Sequence, residues 1–365
     1  MTRLQRLSEH LISADLPWLA LIPGSTLLWL TGIHSHASER PFIVWLSPAQ
    51  PPAALVPALE AMKAEAAGIP TDRIFAWSDQ AGYRGACRQA VQALGLAGQR
   101  IGVEALSMRV LERDLLAGLV PDATLVQADG LLAALRLRKD AGEIGAMERA
   151  VAVAEEALNQ LLPQIRIGMT EREIAGRLLV ALADAGADGP SFNPIVAAGP
   201  NSASPHAVPG NRPISPGDLL IIDWGARVDD YPSDLTRTFA VGQVDDELRH
   251  IHAVVQAANA AGVAACHPGV TGEAIDRAAR DVIAAAGYGD FFIHRTGHGL
   301  GLDVHEPPSL MAGERDPLPP GAVFTVEPGI YLPGRGGVRI EDNIVLTETG
   351  YRCLTSFPRG LQQVG

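Results

Sequence analysis

Pro216-Gly-Asp-Leu-Leu-Ile-Ile-Asp-Trp-Gly225 recurs later in the chain as Pro320-Gly-Ala-Val-Phe-Thr-Val-Glu-Pro-Gly329, and the alignment sets Asp223 on Glu327. Each stretch opens on a Pro-Gly turn signal, continues through apolar or β-branched residues and ends on a carboxylate. That is the pattern of a buried strand delivering a charge at its end. The match extends upstream, where Gly168-Met-Thr-Glu-Arg-Glu-Ile174 returns as Gly269-Val-Thr-Gly-Glu-Ala-Ile275, and the helices that follow close on Ala185-Gly186 and Ala286-Gly287. Common turn chemistry explains Pro-Gly and Gly-x-Thr but not a carboxylate kept in register with both. We read a duplicated unit of two helices followed by buried strands. Its pseudo-twofold symmetry brings Asp223 and Glu327 together at the centre of a sheet.

Three further residues join that pair. Asp234 lies in Tyr231-Pro-Ser-Asp-Leu-Thr-Arg-Thr238, and antiparallel pairing of 219–224 with 235–241 places it beside Asp223. His298 sits in His294-Arg-Thr-Gly-His-Gly-Leu-Gly-Leu-Asp-Val-His305, and Glu341 follows Val338-Arg-Ile in a strand. Four carboxylates and one imidazole suit two hard divalent cations, because carboxylates bridge metals and their charges offset those of the pair; a lone zinc takes a smaller set richer in His or Cys. Gly-His-Gly-Leu-Gly does not link a strand to a helix, so it is not read as a phosphate loop, and the glycines flanking His298 exclude a zincin helix. Arg339 shares a strand face with Glu341 at period two. It orients Glu341, binds a substrate carboxylate or makes a purely structural ion pair.

The rest of the chain frames this site. Its 365 residues suffice for two domains, 47% are hydrophobic, and a formal net charge of -12 without a basic run argues against nucleic acid or an anionic membrane as partner. No apolar stretch is long enough to span a bilayer, and the N-terminal segment reads as an amphipathic helix without a secretory cleavage site. Cys87, Cys266 and Cys353 are scattered and show no CxxC spacing, so they read as free thiols in a reducing cytoplasm. The first third reads as an α/β layer structure: helix 3–13, strands 18–22 and 42–46, helices 52–67 and 82–94, strand 101–104. Near residue 130 a long helical pattern begins, which sets domains at 1–130 and 131–365.

With these residues in place, the chain resembles the metallopeptidase family with the pita-bread fold, comprising methionine aminopeptidase, aminopeptidase P and Xaa-Pro dipeptidase (prolidase). Five ordered motifs carry the likeness, IDWG, SDLTRT, GHGLG, VEPGIY and RIED, together with Leu135-Arg-Leu-Arg-Lys139 at the start of the catalytic region. Residues 1–130 resemble a creatinase-type N-terminal domain, in which Trp29-Leu-Thr-Gly32 is similar to a strand end. The implied fold class is α/β (α+β), a creatinase-like domain followed by a pita-bread domain with an internal pseudo-twofold repeat.

The resemblance implies that Asp223 chelates one metal, His298 and Glu327 the other, and that Asp234 and Glu341 bridge both. It implies catalytic roles for His206, His305 and Glu327, with Glu327 as proton carrier, and substrate-binding roles for His294 and Arg339. The expected cofactors are two divalent ions, manganese first, with cobalt, zinc or iron as alternatives. The expected partners are short Xaa-Pro peptides and a second copy in a homodimer. Prolidase activity is the leading expectation and aminopeptidase P the alternative. A metal-free creatinase-like hydrolase or binding module is the rival from another class.

Overall fold

A computed structural model describes residues 1–365, and their contacts divide the chain into two units, Met1–Leu135 and Arg136–Gly365. The first unit carries a six-stranded sheet in the order Ile74–Trp77, Ala53–Pro57, Ile43–Leu46, Trp18–Leu21, Arg100–Val103, Thr124–Gln127. Trp18–Leu21 pairs antiparallel with Ile43–Leu46 and parallel with Arg100–Val103, so the sheet is mixed. Its core gathers Trp18, Ile43, Trp45, Leu55 and Ile101, all buried.

Two expectations for this unit are corrected. The helix read over 52–67 is instead strand Ala53–Pro57, then a short 3-10 turn and helix Ala61–Ala66. The wholly buried strand pairs on both edges, a tertiary environment that overrides the helix propensity of its two alanines. Trp29-Leu-Thr-Gly32 ends a helix, Ser25–Thr31, and not a strand. Gly32 adopts the left-handed conformation and its N–H donates to Leu28 O, an ordinary glycine helix stop.

The continuous helix read from near residue 130 is broken. Asp129–Leu137 stops, and Ala141–Leu161 starts afresh behind an Asp140–Glu143 capping box. From there the duplication is physical. Thr170 caps Glu171–Asp184 and Thr271 caps Gly272–Ala285. Thr170 bridges Pro213 as Thr271 bridges Pro317. Gly217 and Gly321, the glycines of the two Pro-Gly turns, both take positive φ, which a side chain would strain.

Each copy then lays down three antiparallel strands. Ile195–Ala198, Leu219–Trp224 and Leu235–Val241 form one set; Gly297–Gly299, Val323–Val326 and Asp342–Leu346 form the other. Pairing sets Asp223 opposite Thr236 and Val326 opposite Asp342. A bridge between Thr236 and Glu341, with Glu341 N–H donating to Thr236 O at 3.1 Å, joins the two copies at their centre. Arg237, buried, ties the same seam by donating to the carbonyls of Thr236 and Glu341 and to the Asp342 carboxylate. Helices of each copy bury an apolar face on their own strands, with Trp224 and Phe239 in one core and Phe324 and Val326 in another. No helix is long and apolar enough to cross a membrane.

Candidate active site and metal centre

Strand ends and the breaks between strands deliver the five sequence-picked ligands to one cavity of about 570 Å³, which is also lined by His206, His294, Arg295, His305 and Arg339. That volume lies within the usual ~300–1,000 Å³ range of small-ligand sites. Asp223 is the penultimate residue of its strand, and Asp234 directly precedes the strand that pairs with it. Glu341 is not inside a strand, as the sequence reading had it. It occupies the break between Gly336–Arg339 and Asp342–Leu346, where it bridges Thr236.

The glycines around His298 serve close packing. A Cβ on Gly297 would collide with the Thr325 carbonyl, and one on Gly299 with the Pro307 carbonyl. The His298 backbone N–H donates to Thr325 Oγ1 at 3.1 Å. Its Nδ1 lies 3.2 Å from the Gly299 carbonyl, and its Nε2 faces the carboxylates. Nε2 stands 3.2 Å from Glu327 Oε1 and 3.6 Å from Asp234 Oδ2.

Three overlapping groups offer ligand atoms within 4.8 Å of one another: Asp223, Asp234 and Glu341; His298, Glu327 and Glu341; and Asp234, His298 and His305. Glu341 belongs to the first two groups and Asp234 to the first and third, the sharing that a dinuclear centre requires. His305 enters one group although the sequence reading gave it no ligand role. Its ring meets that of His298 edge-on at 4.1 Å between centroids.

Electrostatics favour bound cations. Burial, reinforced by the neighbouring carboxylates, pushes Asp234 and Glu341 well above the usual carboxylate range. Asp223 is also raised, because burial outweighs the adjacent Arg339 guanidinium at 2.5 Å. Burial acts upward on Glu327 too, but the His298 hydrogen bond and the surrounding positive charges bring it down to about 2. Asp223 Oδ1 and Glu341 Oε1 are buried and make no hydrogen bond. Unpartnered carboxylate oxygens in a buried anionic cluster are what two divalent ions would satisfy, and the oxygen-rich donor set with one imidazole fits them.

Arg339 resolves differently from any simple pairing with Glu341. Its Nη2 donates to Asp223, Nη1 to Tyr331 Oη at 2.8 Å and to Pro205 O at 3.3 Å, and Nε to Thr236 Oγ1 at 3.1 Å. The Thr236 hydroxyl in turn donates to Glu341 Oε2 at 2.7 Å, so Arg339 reaches Glu341 through Thr236. His294 hands Nδ1–H to the Arg295 carbonyl at 2.7 Å and accepts at Nε2 from Tyr331, 2.9 Å away. His206 and His305 line the cavity from exposed loops. Burial, with the His298 and Arg295 charges, lowers His305 to about 4 and keeps its imidazole neutral near pH 7. Behind it, Glu306, whose side chain is 6% exposed, is clamped by Lys139 at 2.7 Å and Arg136 at 2.5 Å.

The sequence reading missed Tyr331, Thr236, Asn343 and Arg295. Tyr331 and Thr236 stood inside quoted motifs, VEPGIY and SDLTRT, and Asn343 accepts from the Asp234 N–H at 3.2 Å. Polar side chains beside ligands inside a motif were the available signal.

Comparison with known proteins agrees with this architecture. Residues 145–348 match the model of metallopeptidase family M24, and residues 3–138 match the creatinase/prolidase N-terminal domain. An Xaa-Pro dipeptidase of Pyrococcus furiosus is 41% identical over 64% of this chain and 67% of its own. A solved prolidase from Thermococcus sibiricus superposes with a TM-score of 0.94 at 33% identity, covering 99% of this chain and 98% of that one. An X-Pro aminopeptidase from Thermotoga maritima superposes with a TM-score of 0.87 at 30% identity over 100% of both chains. The chain therefore belongs to metallopeptidase family M24, with a creatinase/prolidase-type domain ahead of its peptidase domain.

Proposed function

We propose that this protein hydrolyses the Xaa-Pro bond of dipeptides using two divalent ions per subunit. Asp223 would hold one ion, His298 and Glu327 the other, and Asp234 and Glu341 both. The observation that carries this reading is the pair of buried, unpartnered oxygens, Asp223 Oδ1 and Glu341 Oε1, within four carboxylates facing one imidazole. Likeness to a prolidase over nearly the whole chain supplies the substrate class. An oxygen-dominated set favours manganese, with cobalt, zinc or iron able to compete according to supply.

Bound there, the cations would supply Lewis acidity to the scissile carbonyl and an attacking water with a lowered pKa. Glu327, ionised at neutral pH, accepts the proton of that water and passes it to the prolyl nitrogen as the bond breaks. His305, held neutral, donates a hydrogen bond to the carbonyl oxygen as charge grows on it, and His206 closes on the same group from the facing loop. His294 and Arg339 hold the walls around the substrate. Three unpaired cysteines fit a reducing cytoplasm, and a homodimer is the expected assembly, to be read by light scattering.

The test is metal analysis followed by a substrate panel. About two ions per chain, activity lost to chelator and restored by manganese, and cleavage of Ala-Pro and Met-Pro support the reading; full activity in metal-free protein refutes it. The likeness to an X-Pro aminopeptidase over the full chain keeps a second reading in the same panel. Release of alanine from Ala-Pro-Ala would make the enzyme an aminopeptidase, and preference for Met-Ala-Ser would remove the proline requirement.

A further inference from the structure

Helix Asp246–Ala264 buries an asparagine against the backbone that leads into Glu327 and Glu341. Asn259 is 0% exposed, and its Nδ2 donates to Val326 O at 2.9 Å and to Ile340 O at 3.3 Å. With two carbonyls in front of the amide, its nitrogen end is the one that faces them. Its Oδ1 is buried without a hydrogen-bond partner, a cost that the two donated bonds have to offset.

Those carbonyls belong to the peptide units that enter Glu327 and Glu341. The other side of each unit is fixed as well: Glu327 N–H donates to Thr296 O at 2.8 Å, and Glu341 N–H to Thr236 O at 3.1 Å. Each peptide plane is therefore held at both ends, and one amide holds an end of both. Because the planes are rigid, they set the direction in which the two carboxylate side chains leave the backbone.

The repeat explains why an amide is needed here. Ile340 N–H donates to Pro328 O at 3.4 Å, half of an antiparallel pair whose other half would run from residue 328 back to Ile340 O. Proline has no N–H to give, and Asn259 supplies the donor instead. In the first copy the matching residue is Trp224, which pairs with Leu235 and keeps its N–H. The matching helix position, fourteenth after the cap in both copies, holds Ala154 in place of Asn259. There the contact runs the other way, from Trp224 Nε1 to Ala154 O at 2.8 Å.

We infer that Asn259 is a positioning residue of the metal centre, which stands in for the missing Pro328 N–H and locks Glu327 and Glu341 in fixed relation to each other. The inference rests on the dinuclear reading and adds to it a residue outside the cavity, on the helix behind the ligands.

The experiment titrates metal-free wild type, Asn259→Leu and Asn259→Leu/Pro328→Ala with manganese by calorimetry, then measures kcat and KM for Ala-Pro at saturating manganese. Leucine copies the shape of asparagine without its donors. Asn259→Leu should bind manganese about 10- to 100-fold more weakly and lose about tenfold in kcat, with KM within about threefold of wild type. Adding Pro328→Ala returns an N–H to Ile340 O and should recover at least about threefold in manganese affinity. A side chain that merely fills the helix interface would not respond to a backbone donor placed on another segment. Unchanged affinity and kcat would overturn the assignment, as would a loss that Pro328→Ala leaves untouched. Should circular dichroism show the leucine variant unfolded, Asn259→Ala takes its place, with the same loss of affinity expected and the same results overturning it. A wild type that binds no manganese sinks the dinuclear reading and this one with it. A wild type that binds two ions no more tightly than Asn259→Leu sinks this one alone.

Discussion

In the first copy of the repeat Asp223 stands opposite Thr236; in the second the ladder ends one step earlier, at Val326 opposite Asp342, and the next residues along the same register are Glu327 and Glu341. Two positions before Thr236 comes Asp234, and two before Glu341 comes Arg339. Equivalent backbone sites therefore hold a carboxylate and a carboxylate, a hydroxyl and a carboxylate, and a carboxylate and a guanidinium. Symmetry fixed where side chains meet, and divergence decided their charges. A strictly symmetric site would stack like charges across the seam. This one breaks the symmetry with Arg339, which answers Asp223, and with Thr236, which hydrogen-bonds Glu341.

Copying residues from one half into the other tests how much of the chemistry lies in that divergence. The largest effect is expected from Glu341→Thr, which gives the second copy its counterpart's hydroxyl. Activity should fall by roughly 100- to 1,000-fold or more with metal content reduced and the circular dichroism spectrum retained; an active variant would remove Glu341 from the shared position. Arg339→Met comes next. It leaves Asp223 buried without its counter-charge and should destabilise metal-free protein by about 3–5 kcal/mol in urea titration, with part of the loss recovered on adding manganese. Indifference to metal would separate Arg339 from the ligand cluster.

A third comparison lies in the helices. His252 is the seventh residue after the Asp245 cap, and Met147 the seventh after Asp140; both are buried. Burial, aided by the Arg237 charge, lowers His252 to about 4. Because the unfolded imidazole titrates near ~6.5, the unfolded chain binds the extra proton first. The stability tied to neutral His252 is complete above about pH 6.5 and is lost as pH falls towards 4, by up to about 3 kcal/mol. His252→Met should match wild type at pH 7.5 and gain on it in melting temperature at pH 5; parallel pH curves would contradict this. The smallest effect is expected from Thr236→Val, which strips one hydrogen bond each from Glu341 and Arg339. It should cost about 1–3 kcal/mol, less in the metal-loaded protein, and leave substrate preference unchanged in a kcat/KM panel.

Much of the peptidase unit was legible because repetition made its punctuation visible. Both Gly-x-Thr signals became helix caps, both Pro-Gly signals became positive-φ turns, and 219–224 paired with 235–241 in the expected sense. The first unit lacked such an internal check. Ala53–Pro57 read as helix because alanines favour one, and only its neighbours on both edges make it a strand. The break at Asp140 was written in its capping box, but the apolar spacing of three and four on either side masked it.

The sequence by itself determined the inventory of candidate metal ligands and the pairing of two of them by duplication, because hard-metal chemistry requires particular atoms and a repeat preserves their order. Tertiary structure decided which groups are already spent. Arg339 and Arg295 look alike in sequence, and each lies next to or near a site residue. One is enclosed by Asp223, Tyr331 and Thr236, while the other meets only a serine hydroxyl. Whether a charge is satisfied depends on partners brought from distant positions by folding, and no local pattern records them.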